Sequence, residues 1–167
     1  MPSAKKQAKQ QAKQEKKAEN LMTKNKLCIL EKSIQIGFMI MELEKMKELV
    51  VDNLNEETND GELVKKGKAM NNLASFIKAE EVMQENFLKY IKVTDEDMKR
   101  IDLQKIRFNH INIMIKHTDC DKKIKYMMDT IDKYNVDIVK YLTPITKARG
   151  DEIVAEDLTL NGTYQEF

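Results

Sequence analysis

Apolar residues recur at helical spacing along most of this chain. Met22, Ile29, Ile36, Leu43 and Val50 fall every seven residues, and Ile40 and Leu54 add intervening positions. The pattern predicts a helix over 20–54 whose heptad seam is interrupted by Lys26, Ser33 and Lys47. A second row of Leu27, Leu30, Ile34, Phe38, Met41 and Val51 widens the apolar face. A stripe that broad fits a bundle or a multi-helix contact better than a two-stranded coiled coil. If the helix ran continuously from residue 5 it would be about 75 Å long at 1.5 Å per residue.

The segment Asn55–Gly61 breaks this pattern, with Asp60-Gly61 as a turn signal. A second helix is predicted over 62–91, with Leu63, Met70, Leu73, Ala74, Ile77, Met83, Phe87 and Ile91 on its apolar side and Gly67 as a weak point. Thr94 followed by Asp95, Glu96 and Asp97 reads as an N-cap with an acidic first turn, opening a third helix over 95–117. Thr118-Asp119-Cys120-Asp121 repeats the capping signature before a fourth helix over 119–142, with Asp121 placed for the reciprocal contact. Thr143-Pro144 is expected to stop or kink that helix. Beyond it, Ile153-Val154 and Leu158–Leu160 are short apolar pieces of a mixed segment.

The expected architecture is therefore all-α. It is an elongated up-down bundle, or a long coiled-coil-like hairpin whose apolar faces other subunits complete. Three regions follow: a basic arm over 1–19, a four-helix body over 20–142 and an irregular acidic tail over 143–167. The arm holds Lys5, Lys6, Lys9, Lys13, Lys16 and Lys17, with no Leu, Ile, Val or aromatic residue. Its residues are good helix formers with nothing to bury, so the arm is expected to be disordered or a fraying helix.

Charge separates the two ends. Residues 1–26 carry eight lysines against two glutamates, whereas Asp151, Glu152, Glu156, Asp157 and Glu166 face no lysine or arginine over 151–167. The net charge of +1 conceals this polarity. The lysines could meet phosphates of nucleic acid, an acidic protein or anionic lipid headgroups, with salt-dependent and sequence-indifferent affinity. Arginine and aromatic residues are absent from the arm, which argues against base-specific reading. Ala4, Ala8 and Ala12 form a small-residue stripe suited to lying along another helix.

Catalytic patterns are sparse. Cys28 and Cys120 are the only cysteines and form no CxxC pair, which points to a reducing compartment. His117-Thr118-Asp119-Cys120-Asp121, with His110 seven residues earlier, is the best metal or catalytic candidate. It supplies half a site at most, and helix capping accounts for its aspartates. Phosphate-cradling glycine runs are missing, and the serines at 3, 33 and 75 have no acid–base neighbour in sequence. The Asn161-Gly162-Thr163 sequon and the Arg149-Gly150-Asp151 tripeptide are short matches that arise easily by chance. Secretory and membrane-spanning runs are lacking. An arm of lysines without an apolar helical face is also unlike an organelle transit peptide. Met22, Met39, Met41, Met46, Met127 and Met128 read as core gap-fillers, or as an adaptable binding face.

The expectation is a non-enzymatic structural or interaction subunit of a larger intracellular assembly, cytoplasmic first, with nucleus and organelle as open alternatives. No metal, cofactor or catalytic residue is expected. Packing or partner contact is assigned to Ile29, Ile36, Ile40, Leu43 and Val50, and electrostatic contact to the six arm lysines. Protein partners or self-association are expected. Nonspecific nucleic-acid or anionic-surface binding through the arm is the second reading, and a peripheral membrane-associated scaffold is the third.

Overall fold

The structure, a computed structural model, describes residues 3–56 and 59–148. Its helices are α1 (Ala4–Glu56), α2 (Asp60–Lys89), α3 (Asp95–Lys99), α4 (Leu103–Met114) and α5 (Cys120–Ala148). Together they form an all-α bundle without a sheet among the described residues. Because α1 contains no proline and a single glycine, Gly37, nothing interrupts its ladder across 53 residues. At 1.5 Å per residue it is about 80 Å long.

α1 is the axis of the fold. At one end Val50 shares a groove with Ala69 of α2 and Ile124 of α5. At the other, Met22 lies with Ile91, just past α2, and with Ile145 of α5. Both α2 and α5 therefore run antiparallel to α1 and parallel to each other. α4 lies along α1 in the same direction, with Ile106 near Cys28 and Gln35 and His110 stacked on Phe38 at 5.7 Å. The core is built from Ile29, Ile36, Met39 and Leu43 of α1, Phe76, Met83 and Phe87 of α2, and Met127, Ile131 and Ile138 of α5. These are heptad-spaced positions, and their burial is what holds so long a helix in place.

The third helix expected over 95–117 is divided. Thr94 and Asp97 form a reciprocal capping box, so α3 starts where the sequence indicates. It stops at Arg100, whose N–H bonds back to the Asp97 carbonyl while the Ile101 N–H bonds that of Met98. Asp102 then takes an extended backbone, and its carboxylate accepts the Lys105 N–H at 3.1 Å to open α4. A short Asp side chain bonding the backbone ahead of it competes with helix continuation. The break also lets the chain pass round the flank of α1. Asp97 is paired with Lys26 at 2.6 Å, while Arg100 shares a surface pocket with Thr23, Leu27 and Glu31.

Two further boundaries differ from expectation. The N-cap of α5 is Asp119, which accepts the Lys122 N–H at 3.0 Å, and not Thr118. α5 also continues past Pro144 to Ala148. Pro144 sits on the exposed side, where the unpaired carbonyl it leaves can be hydrated, while Leu142, Ile145 and Thr146 remain buried on the other. Residues 4–19, expected as a disordered or fraying arm, are helical and continuous with the body. Residues 143–148 of the expected irregular tail belong to α5, and Ile153, Val154, Leu158, Leu160 and the acidic cluster lie outside the described residues.

Candidate interaction surfaces and a buried polar network

Three helices contribute to one polar cluster inside the bundle. Asn135 Nδ2 on α5 donates to both carboxylate oxygens of Glu80 on α2 at 2.9 Å. Gln84 Nε2 donates to Asn135 Oδ1 at 2.8 Å, and Ser33 Oγ on α1 donates to Gln84 Oε1 at 2.9 Å. Glu80 is wholly buried, and the groups that meet its carboxylate are the Asn135 and Gln84 amides. Burial disfavours the charged form and pushes its pKa up to about 7, against the pull of the Asn135 and Gln84 hydrogen bonds. Nothing in this cluster makes an activated nucleophile, because the Ser33 hydroxyl donates to an amide oxygen and not to a base.

The His110–Cys120 region does not assemble. His110 stacks on Phe38 of α1, whereas His117 meets Tyr126 of α5 edge-on at 5.1 Å. Burial lowers the His110 pKa. Partial desolvation and the flanking Asp121 and Asp119 carboxylates push the Cys120 thiol up, away from the thiolate a metal would need. Among the described residues no group of three or more His, Cys, Asp or Glu side chains is placed to hold a metal ion.

The seam residues and the arm lysines occupy opposite kinds of environment. Ile29, Ile36, Ile40 and Leu43 are buried against the chain's own helices, and Val50 is half-buried at the groove between α2 and α5. That groove, of about 680 Å³, has Leu73, Ile124 and Met128 on its floor and Lys65, Lys125 and Asp129 at its rim. Met39, Met46, Met83 and Met127 fill the core, while Met41 is exposed. Residues 3–21 are all exposed, so Lys5, Lys6, Lys9, Lys13, Lys16 and Lys17 stand on a helical extension clear of the bundle.

One apolar surface was not anticipated. On α4, Ile106 and Ile113 face inward, but Phe108, Ile111 and Ile115 beside it keep 64%, 55% and 71% of their surface exposed. Their spacing of three and four residues places them on one side of the helix. Phe108 and Ile115 therefore lie on the side of the helix away from Ile106 and Ile113, so its apolar residues are divided between two faces. The available signal was the excess of apolar residues over what one face of a short helix can bury.

Among the described residues no helix is long and apolar enough to cross a membrane. No family model, curated protein or solved structure matches the chain.

Proposed function

We propose that the protein is a non-enzymatic structural or interaction subunit of a larger assembly, with a rigid helical bundle presenting docking surfaces. The observation that carries this reading is the outer side of α4. Phe108, Ile111 and Ile115 form a contiguous apolar stripe that the rest of the described chain leaves in water. Burying one such side chain is worth about 1.5–3 kcal/mol, so a partner helix or groove covering three of them gains substantially. Four of the α1 seam residues, Ile29, Ile36, Ile40 and Leu43, are already engaged in internal packing, which favours the α4 side over the seam.

A photo-crosslinking residue placed at Ile111 tests the reading in the cells that make the protein. The expected result is a discrete cross-linked product that disappears when Phe108 and Ile115 are both changed to Glu. A probe at Ile111 that yields only the free chain contradicts it.

The arm supports a second reading, contact with an anionic surface or nucleic acid. Its support is the placement of six lysines on a projecting helix. Membrane scaffolding has less behind it. The arm's other residues are Ala, Gln and Glu, which offer no large apolar face for the bilayer interface.

A further inference from the structure

The helical extension organises its charge in a way the sequence alone leaves open. At 100° per residue, Lys5, Lys6, Lys9, Lys13, Lys16 and Lys17 fall within an arc of about 120°, and Glu15 and Glu19 fall outside it. The stripe they form is about 18 Å long from Lys5 to Lys17. All six are exposed, and none has a carboxylate at salt-bridge distance among the described residues. Lys26 and Lys32, by contrast, are paired with Asp97 and Asp137.

We propose that this lysine stripe is a docking surface for the chain's own acidic segment, residues 151–157. Three observations converge on that occupant. The first is delivery. α5 runs antiparallel to α1, Ile145 lies in a shared pocket with Glu19 and Met22, and the helix ends one turn later at Ala148. The last described turn of α5 therefore lies at the root of the arm.

The second is charge. Asp151, Glu152, Glu156 and Asp157 place four carboxylates within seven residues, and neither lysine nor arginine occurs from 151 to 167. The third is reach. From Asp151 to Asp157 the chain spans at most about 20 Å, comparable with the stripe, and Arg149 and Gly150 are the only residues between it and α5. Short tethers of this kind give effective concentrations in the mM range, so individually weak exposed pairs suffice. An external polyanion has to displace this segment before it reaches the lysines.

The test uses the full chain and a variant with Asp151→Asn, Glu152→Gln, Glu156→Gln and Asp157→Asn. Backbone amide shifts of residues 5–17 are compared at about 0.01 M and about 1 M salt, where the screening length falls from about 30 Å to about 3 Å. In the wild-type chain these shifts should move with salt and approach those of the neutralised variant. Heparin, as a probe polyanion, should bind the variant several-fold more tightly. Zero-length carbodiimide coupling of the wild type should join arm lysines to 151–157 within one chain.

Identical shifts over 5–17 in the two chains, with unchanged heparin affinity, would overturn the proposal. So would coupling found only between chains. Polyuridylate or phosphatidylserine vesicles binding wild type and variant equally well would assign the stripe to an external polyanion and also overturn it.

Discussion

With Glu80 wholly enclosed and its carboxyl held by amides, proton uptake and folding are linked at this residue. Its folded pKa of about 7 lies above the ordinary 4.5. The group therefore favours the fold when protonated, and stability falls as pH rises from about 4.5 to about 7. The size of the effect is about 3 kcal/mol at most. Glu80→Gln should stabilise the protein by up to that amount at pH 8 and leave it nearly unchanged at pH 4, because a flipped amide pair can keep the network satisfied. Urea denaturation of both chains at the two pH values reads this directly, and comparison with wild type cancels the contributions of His110 and Asp132. Equal pH dependence in the two would contradict it.

Truncations should separate core from surface just as clearly. Ile36→Ala or Leu43→Ala should cost about 2–5 kcal/mol, and Ile115→Ala less than about 0.5 kcal/mol. Comparable losses at Leu43 and Ile115 in thermal melts would mean that α4's outer side is packed after all. The seam positions were legible from spacing alone. Glu80 was not, because its neighbour Glu81 makes the pair look like a solvated face. Its register with Ile77, Met83 and Phe87 was the overlooked signal.

Helices are set here by local chemistry where caps are present and by burial where they are not. The capping box of Thr94 and Asp97 fixes the start of α3, and its loss in Thr94→Ala should cost about 1 kcal/mol. Gly37 lies inside α1 with open space where a Cβ would stand, so Gly37→Ala should stabilise by about 0.5–1 kcal/mol. Chemical denaturation of the two variants should move the midpoint in opposite directions. A midpoint lowered by Gly37→Ala would mean that α1 needs its glycine for packing.

The N-cap of α3 and the 20–54 part of α1 could be read from residue type and periodicity, whereas the helical course of 4–19, which carries no apolar stripe, could not. The break at Arg100–Asp102 could not, since it depends on the chain turning round α1. The passage of α5 through Pro144 depends on which side of the helix is buried, a tertiary fact that overrides the proline signal.

At the scale of the molecule, a bundle that buries most of its own heptad seam presents outward, among the described residues, the α4 stripe, the open groove between α2 and α5 and the lysine-bearing extension. The all-α class was legible because amphipathic spacing dominates the chain. Which apolar residues stay uncovered was not, because that depends on how the helices share α1. The central claim is that assembly uses the outer side of α4 and not the seam of α1. Sedimentation of the tagged chain in extract of its own cells tests it most directly, comparing wild type with a Phe108→Glu, Ile115→Glu variant of unchanged helicity. The account predicts that wild type travels in a complex well above its own 19.5 kDa and that the variant sediments as the free chain. A variant that stays in the same heavy complex would contradict it.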